Sequence, residues 1–486
     1  MRPDKYIKNF IDGEFSSPLL ENYYPNVNPT TGEVYSHVPL SGEDDIQRAV
    51  ESAERAYKEW SICGAERRFR ILTRLADIIE QHAEDFARAE AIDTGRPYDQ
   101  AKKFNIDLSH YNFRFYATSI LHHGSDSHFV EERAISYPLR QPIGMVGCIA
   151  SWNQPLFLFT QKIAPALAVG NTVVAKPSEV TPMSAYLLAK ACQKGGLPPG
   201  VLNIVFGKDD DIVHRIASHP QIRAIAFTGS LSRGKKLQES IFPSFKKLAL
   251  SVGGKNPNVI FADCDFENMI AKTLRSSFSN QGQLHFSCPR IFIERPIYKK
   301  FKEEFIKRTQ FLKVGNPLNT TTDLGPIVSE KNLLGIERLI QEVKELGGDI
   351  LLGGQRIVFE KDKKIKNGFF FQPTIIEGLA SHFRINDEER YGPVVTIMPF
   401  DTEEEVIELV NQTEYGFCAS IWTSNIERAT LLASKIQVGM IWINDWANTD
   451  IRTNSSGVKN SSTGWQGGAE ALKFFTEAKS ITVKYK

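Results

Sequence analysis

Buried strands and amphipathic helices alternate along the middle of the chain, between residues 144 and 261. Five apolar runs have the length and composition of buried strands: GMVGCIAS, NTVVAK, VLNIVF, AIAF and PNVIF. Helical spacing of apolar residues marks four further segments, near residues 160–168, 183–194, 209–217 and 231–240. This alternation predicts a parallel sheet wrapped by helices, a Rossmann-like arrangement.

A second α/β set is predicted from about residue 266 onwards. It has a strand at RIFIE, a helix over 298–311 and later strands at VVTIMPF and ASIWTS. Ahead of the first set, helices are predicted over 45–60 and 71–92, because apolar residues recur there at helical spacing. Two α/β domains therefore account for most of the chain.

Two segments stand apart from these domains. Residues 132–142 have the pattern of an extended ribbon, and the final ITVKYK places Ile481, Val483 and Tyr485 on one face of a strand. An exposed alternating edge favours pairing with another subunit. An edge strand that pairs within the chain explains the same pattern.

Composition narrows the class of protein. The 486 residues suggest roughly two to four domains, and 42% hydrophobic with 24% charged residues is typical of a soluble globular protein. The net charge of +1 gives no reason to expect nucleic acid or an anionic membrane as a partner. No segment approaches the roughly 18 apolar residues of a membrane span and no signal peptide is recognisable, so we expect a cytoplasmic protein. The six cysteines lack C-x-x-C spacing, which predicts neither a disulfide framework nor a metal site.

The run PIGMVGCIASWNQPLFLFTQKIAPALAVGNTVVAKPSE resembles the aldehyde dehydrogenase superfamily, and FTGS, VGGKNP, NQGQ and ERYGPV follow in that family's order and spacing. The resemblance covers essentially the whole chain. The segments NFIDGEF, NFRFYATSILHH, LKVGNP and FFTEAKSITVK are most similar to the 2-aminomuconate semialdehyde dehydrogenase branch.

The resemblance implies the aldehyde dehydrogenase fold, an α/β fold with a Rossmann-like cofactor domain, an α/β catalytic domain and a β oligomerisation ribbon. On this basis we expect an NAD-binding domain at residues 1–119 and 143–253 and a catalytic-type domain at 254–465. The oligomerisation strands are expected at 120–142 and 466–486. A homodimer or tetramer follows, and a mixed oligomer with an active relative fits the same edges.

A cofactor site is predicted where strand NTVVAK ends. Lys176 and Glu179 leave the strand there, and ligands of open α/β sheets collect at that edge. A carboxylate can accept both hydroxyls of an adenosine ribose but repels a 2′-phosphate, so Glu179 favours NAD over NADP. The FTGS run ends a strand and opens a helix, so Ser230 and the helix amides offer donors to a pyrophosphate. The resemblance places Glu389 at the nicotinamide ribose.

Taken together, the expected cofactor-binding residues are Trp152, Lys176, Ser178, Glu179, Gly229, Ser230, Glu389 and Tyr391. Any one of them alone is also explained as a surface or capping residue. Asn153, in SWNQP, matches the asparagine with which the family stabilises an oxyanion on the substrate carbonyl. The alternative is a structural asparagine in a tight turn.

The pattern departs from the family at the nucleophile. The family attacks the aldehyde with a cysteine thiolate, passes hydride to the nicotinamide and hydrolyses the thioester with base-activated water. That cysteine is the second residue after NQGQ, and an arginine lies seven residues after the final glutamine. Gln283 and Arg290 keep this interval, and the residue at the nucleophile position is His285. Cys288 lies three residues further on and is interpreted as a small buried hydrophobe, because attack requires atoms roughly 3 to 3.5 Å apart.

Other positions depart as well. Ser251 stands where the family places its general-base glutamate, so hydrolysis would lose a contribution typically worth about 10²- to 10⁴-fold. Trp465 and Gln466 replace a family arginine and glutamate near the C-terminus. A substrate-gripping arginine of the semialdehyde branch is missing, since its I-P-R stretch reads here as 106–108, Ile-Asp-Leu.

Three accounts remain. The first is a pseudoenzyme that binds NAD and has lost ordinary aldehyde oxidation. In the second, His285 and Asn153 act on a carbonyl or imine substrate as an oxidoreductase or isomerase, with His285 as general acid, base or nucleophile. The plain alternative for His285 is a loop histidine that fills the vacated space. The third account is an aldehyde dehydrogenase that uses Cys288 after a local rearrangement.

Overall fold

The computed structural model describes residues 4–131, 133–208, 210–464 and 467–485. Strands in these residues form two large sheets, a three-stranded sheet and small two-stranded sheets. None of their helices is long and apolar enough to cross a membrane.

The strands follow one another in this order: β1 (Asn9–Ile11), β2 (Glu14–Ser16), β3 (Tyr23–Asn28), β4 (Glu33–Pro39), β5 (His128–Val130), β6 (Ala134–Pro142), β7 (Met145–Ile149), β8 (Thr172–Lys176), β9 (Leu202–Ile204), β10 (Ile222–Thr228), β11 (Lys247–Ser251), β12 (Pro257–Ile260), β13 (Arg290–Glu294), β14 (Asp349–Leu352), β15 (Arg356–Ile357), β16 (Phe370–Phe371), β17 (Thr374–Glu377), β18 (Val394–Phe400), β19 (Tyr415–Gly416), β20 (Cys418–Trp422), β21 (Met440–Ile443), β22 (Val458–Lys459), β23 (Ser462–Thr463) and β24 (Thr476–Lys484).

The α-helices are α1 (Glu43–Trp60), α2 (Ala65–Gln81), α3 (Ala83–Thr94), α4 (Tyr98–Ala101), α5 (Asp107–Ser119), α6 (Pro155–Ala168), α7 (Met183–Gly195), α8 (Asp210–Ser218), α9 (Leu231–Ile241), α10 (Phe266–Phe278), α11 (Arg295–Gln310), α12 (Glu330–Glu345), α13 (Arg384–Asp387), α14 (Glu403–Asn411), α15 (Ile426–Lys435) and α16 (Gly468–Phe474). A π-helical turn covers Lys102–Ile106, and a 3₁₀ turn covers Ser279–Gly282.

The first large sheet has the order β2-β1-β9-β8-β7-β10-β11-β23. Its five central strands are parallel, and the strands at its edges pair antiparallel. Side chains alternate between the two faces: Val146 and Cys148 of β7 pack in one apolar cluster, and Met145 and Ile149 pack in the other. Because both faces are covered by helices, the strands are buried apolar runs, and the predicted Rossmann-like sheet is confirmed.

This sheet has a topological switch point beside β7. The chain moves from β7 to β8 and β9 on one side, and later to β10 and β11 on the other. The loops that leave β7 and β10 therefore diverge and open a crevice at the carboxyl ends of the strands. Ligands of doubly wound sheets bind in such a crevice.

The second large sheet has the order β14-β17-β18-β13-β12-β20-β21 and is parallel apart from β14. Ile291 and Ile293 of β13 face one apolar cluster, while Phe292 faces the other. This alternation shows a second core with helices on both sides, and the predicted second α/β set is confirmed.

A three-stranded antiparallel sheet joins β24, β6 and β5. β24 pairs with β6 along nine residues, from Thr476 opposite Pro142 to Lys484 opposite Ala134. The ribbon and the C-terminal strand therefore pair within the chain, and β5 forms an outer edge. Pairing with another subunit stays a prediction.

One predicted element is wrong. The single helix over 71–92 is two helices, α2 and α3, which meet at His82. The backbone of His82 has φ −108° and ψ 20°, outside the helical region, and its Nδ1 lies 3.1 Å from Oδ2 of Asp85. Apolar spacing continues through this break, because both helices pack on the same core, so periodicity alone did not reveal it.

Candidate functional site

A cavity of about 520 Å³ opens at the switch point of the first sheet. Its wall combines the ends of β7, β8 and β10 with residues of α9, α12 and the loop before β18. The predicted site residues in this wall are Trp152, Lys176, Ser178, Glu179, Gly229, Ser230, His285, Glu389 and Tyr391. Asn153 and Ser251 are not part of the wall. The structure thus brings together residues from five separate stretches of sequence.

Glu179 lies at one end of the cavity and is held by two cations. Its Oε2 lies 3.1 Å from Nζ of Lys176, and its Oε1 lies 2.9 Å from Nη2 of Arg233. Burial by itself would raise the pKa of this carboxyl, but the two positive charges prevail and lower it to about 2. Glu179 is therefore an ionised carboxylate at neutral pH.

The start of α9 lies beside this carboxylate. Ser230 precedes the helix in an extended conformation, and its Oγ accepts a hydrogen bond from the Arg233 amide at 3.4 Å. Gly229 is tied to the neighbouring strand, since its amide donates to the Ser251 carbonyl at 3.1 Å. Free amides at a helix N-terminus favour an anion. This end of the cavity suits a phosphate group.

Glu389 lines the cavity beside Tyr391, which contacts His285. Its Oε1 accepts a hydrogen bond from the Gly254 amide at 3.0 Å. Burial raises its pKa to about 7, although contacts with Gly254, Tyr391 and Lys255 oppose the shift. Gly253 makes this approach feasible: its φ is +93°, and a Cβ there would lie 1.9 Å from Oε2 of Glu389. Only glycine fits that backbone and that distance.

His285 is buried and lines the cavity with its imidazole. Nδ1 is hydrogen-bonded to the Tyr391 hydroxyl, while Nε2 has no partner among the described residues. Burial and the nearby positive charge of Lys162 lower the pKa of His285 to about 3. The ring is therefore neutral at physiological pH and offers one unused nitrogen.

Asn153 is fully buried, and its Nδ2 also has no hydrogen-bond acceptor in the described part of the chain. Its Oδ1 accepts from the Ser151 hydroxyl at 2.6 Å, and its carbonyl accepts from Nδ2 of Asn280 at 3.1 Å. The side chain is thus oriented with its donor unused. An unsatisfied buried amide is costly, and a carbonyl oxygen or oxyanion of a ligand would satisfy it.

Ser251 ends β11 and is not among the residues that line the cavity, and its hydroxyl stands where the family pattern predicts a carboxylate. Lys162 is buried close by; its Nζ donates to the Thr228 hydroxyl and has no ion-pair partner among the residues described. Burial lowers the pKa of Lys162 to about 8. Among the described residues, this buried cation therefore has no neutralising anion.

Cys288 is completely buried in a small apolar cluster with Leu284 and Trp446. Its Sγ lies 3.6 Å from the Phe286 carbonyl, and it takes no part in the cavity wall. The geometry is that of a core residue. It agrees with the interpretation of Cys288 as a small buried hydrophobe.

Comparisons with known proteins agree on one family. The model of the aldehyde dehydrogenase family matches residues 16–481. The chain belongs to the aldehyde dehydrogenase family. The 2-aminomuconic semialdehyde dehydrogenase of Homo sapiens is 40% identical over 480 residues, which cover 99% of this chain and 98% of that protein. The 2-hydroxymuconic semialdehyde dehydrogenase of Pseudomonas sp. strain CF600 is 36% identical over 486 residues, or 99% and 100% of the two chains.

Solved structures confirm the aldehyde dehydrogenase fold. An NAD⁺ complex of the aldehyde dehydrogenase from Bacillus cereus superposes with a TM-score of 0.96 at 34% identity, covering 99% of this chain and 97% of that one. The betaine aldehyde dehydrogenase of Staphylococcus aureus, also in complex with NAD⁺, gives 0.95 at 32% identity, covering 99% and 95%. The predicted resemblance, including its semialdehyde branch, is therefore confirmed.

A second cavity, of about 400 Å³, shares no lining residue with the first in the described part of the chain. Leu108 lines it, so the missing arginine of the 106–108 stretch leaves an apolar side chain there. Arg452 is also in this wall, but its guanidinium is paired with Asp450, Nε lying 2.9 Å from Oδ1. Trp465 and Gln466, the other predicted departures from the family pattern, lie outside the described residues.

Several residues of the first cavity were not identified in the sequence. Arg233 and Asp210 stand at its Glu179 end, and Ser329, Lys331 and Asn332 line it from the start of α12. A signal for Arg233 was available, since it lies in the first turn of the helix that FTGS opens. No local pattern pointed to α12, because tertiary packing alone brings that helix to the cavity.

Proposed function

We propose that this chain is an NAD-binding member of the aldehyde dehydrogenase family that lacks ordinary cysteine-dependent aldehyde oxidation, a pseudoenzyme in that sense. The observation that carries the proposal is His285: the cavity wall presents a neutral imidazole where the family's thiol nucleophile is expected, while charged residues suited to a dinucleotide surround the rest of the cavity.

The cofactor part of the proposal rests on the first sheet. Its switch point carries a helix N-terminus for the pyrophosphate, Glu179 for the adenosine ribose and Glu389 for the nicotinamide ribose. The two solved relatives with NAD⁺ support the same cofactor. Glu179 favours NAD over NADP. We also propose the domain division at 1–119 with 143–253, 254–465, and 120–142 with 466–486, although β23 pairs with β11 of the first sheet.

The loss of oxidation follows from what each step requires. A thiolate must attack the carbonyl from within bonding reach, and Cys288 is packed in the core instead. Hydrolysis of a thioester requires a base, and a Ser251 hydroxyl is not one at neutral pH. Both steps therefore lack their group.

A second candidate function is chemistry by His285 on a small aldehyde, carbonyl or imine ligand. The unused Nε2 of His285 and the unused Nδ2 of Asn153 favour it, because buried polar atoms are ordinarily paired. The low pKa of His285 opposes a role as general base, since a group with a pKa of about 3 binds a proton weakly at neutral pH. The pseudoenzyme is therefore the better-supported account.

The outer edge of the three-stranded sheet supports a homodimer or tetramer, or a mixed oligomer with an active relative. Phe129 and Val130 of β5 are exposed at this edge. An uncovered edge with apolar side chains favours pairing with another chain.

The proposal is tested by titrating the purified protein with NAD⁺ and NADH and following the fluorescence of Trp152 and the other tryptophans. An aldehyde panel that includes semialdehydes is then added, and NADH absorbance is recorded for wild type, His285→Ala and Cys288→Ala. We expect binding without turnover. Turnover that His285→Ala abolishes would establish the second candidate instead, and turnover that Cys288→Ala abolishes would establish a relocated thiol. Absence of NAD binding would overturn the proposal altogether.

A further inference from the structure

The adenosine end of the cavity carries a cation that sequence analysis did not identify. Arg233 reaches from the first turn of α9 to Glu179, and its Nε also lies 2.7 Å from Oδ1 of Asp210. The guanidinium therefore bridges two carboxylates across the cavity wall. Its side chain remains 39% exposed, so a ligand can reach it.

This bridge changes what Glu179 can do. One carboxylate oxygen is taken by Lys176 and the other by Arg233, so neither is free for two ribose hydroxyls unless the arginine moves. At the same time, the negative charge that would repel a 2′-phosphate is balanced by two positive charges. Lys176 and Arg233 with the carboxylates of Glu179 and Asp210 are formally neutral, and Lys236, which pairs with Asp210, brings the cluster to +1.

We propose that Arg233 is a specificity-determining residue: it binds a phosphate on the adenosine ribose and so lets the cavity accept NADP alongside NAD. This inference rests on the proposed cofactor function and concerns the same site. A guanidinium matches phosphate oxygens with two parallel N–H donors. An arginine near the ribose is also the physical means by which doubly wound folds accommodate a 2′-phosphate.

The exchange leaves no charge unpaired. The Nη groups of Arg233 leave Oε1 of Glu179 and donate to the phosphate, and its Nε stays with Asp210, while Lys176 stays with Oε2 of Glu179. For NAD, the arginine instead competes with the ribose hydroxyls for Glu179. Arg233 therefore strengthens NADP binding and weakens NAD binding, which reduces the preference for NAD that Glu179 alone would impose.

The test is titration of the full-length protein with NAD⁺ and NADP⁺, for wild type, Arg233→Gln and Arg233→Lys. Competition by 2′,5′-ADP and by 5′-ADP isolates the contribution of the 2′-phosphate. We expect Arg233→Gln to weaken the binding of NADP⁺ and 2′,5′-ADP by about 10-fold or more, since one charge-assisted contact is lost. The affinity for NAD⁺ should stay unchanged or increase. Arg233→Lys should retain part of the affinity for NADP⁺.

Lys236→Gln is the matched control. Lys236 lies on the same helix and pairs with Asp210 at 3.3 Å, but within the described residues it forms no ion pair with Glu179. Lys236→Gln should change the affinities for NAD⁺ and NADP⁺ by similar factors. Equal losses of affinity for NAD⁺ and NADP⁺ in Arg233→Gln would overturn the inference. Tighter binding of NAD⁺ with unchanged binding of NADP⁺ would also overturn it, because Arg233 would then only block Glu179 and would not bind the phosphate. If NAD⁺ binds but the ratio of NADP⁺ to NAD⁺ affinity does not change in the Arg233 variants, the proposed function stands without this inference. If neither dinucleotide binds the wild-type protein, both the proposed function and this inference are wrong.

Discussion

The two ends of the first cavity differ in the charge states of their ionisable groups and in how those charges are paired. At the adenosine end, Glu179 is ionised and each of its oxygens is paired with a cation. At the proposed nicotinamide end, His285 is neutral and Glu389 has a pKa of about 7. Lys162 has no neutralising anion in the described part of the chain. The adenosine end keeps charged groups that can bind a cofactor, because its cations and carboxylates stabilise one another. We propose that aldehyde oxidation is lost, because it needs a thiolate and a base at two positions that hold His285 and Ser251.

The largest effect is expected from restoring the thiol at position 285 and the carboxylate at position 251. His285→Cys alone should give a single burst of NADH with an aldehyde, because the thiol can then form the thioester but not hydrolyse it. Adding Ser251→Glu should convert the burst into steady turnover, with a gain of about 10²- to 10⁴-fold over the single variant. NADH absorbance in stopped-flow and steady-state assays measures both.

Cys288→Ala in the double variant is the control and should leave turnover unchanged. A His285→Cys protein that binds NAD⁺ and still gives no burst would show that the nicotinamide end has lost more than its reactive groups.

The contact between Gly253 and Glu389 links the cavity to backbone geometry. Gly253→Ala should lower the free energy of unfolding by about 2 kcal/mol or more, since a side chain at positive φ is strained and its Cβ would collide with the carboxylate. Thermal unfolding without cofactor measures this. Gly335→Ala, inside α12 with open space around its Cβ, should instead be neutral or stabilising by about 0.5–1 kcal/mol. Equal effects at the two glycines would contradict the strain argument.

The pKa of Glu389 predicts a pH dependence that the adenosine end does not share. The folded chain holds the proton of Glu389 up to a pKa of about 7, whereas the unfolded chain releases it near 4.5. Between these values the folded state binds more protons, so its stability falls as pH rises. Glu389→Gln should flatten this part of the unfolding curve. The other groups, including Asp93, which has a similarly raised pKa, are common to both proteins and cancel. A stability of wild type minus that of Glu389→Gln that rises with pH between about 4.5 and 7 would refute the assignment.

The smallest expected effect concerns the residual thiol. Cys288→Ala should cost about 1–2 kcal/mol of stability by leaving a small void in the core, and it should not change the affinity for NAD⁺. Denaturant unfolding and NAD⁺ titration measure the two quantities. In labelling of the native protein, Cys63, which is partly exposed, should react before the buried Cys288. A change in NAD⁺ affinity would place Cys288 in contact with the cavity and against the present geometry.

Much of the fold and of the cavity wall was predictable from local patterns. Apolar runs with helices between them predict a parallel sheet, and the side chains that follow parallel strands meet at one edge. The sequence therefore predicts Lys176, Glu179, Gly229 and Ser230 at this edge. The substitution at His285 was also visible, because Gln283 and Arg290 keep the interval around it.

The amino-acid sequence by itself determined the order of strands and helices along the chain, the family, and the residue types at the family's nucleophile and base positions. These properties depend on residue type, spacing and short-range pattern. Only the tertiary structure decided that Arg233 meets Glu179, that Tyr391 meets His285, and that Cys288 is packed in the core. These contacts join residues far apart in the chain or depend on which way a side chain turns. Burial, which shifts the pKa of Glu389 and of His285, is likewise a property of the packed molecule and not of its neighbours in sequence.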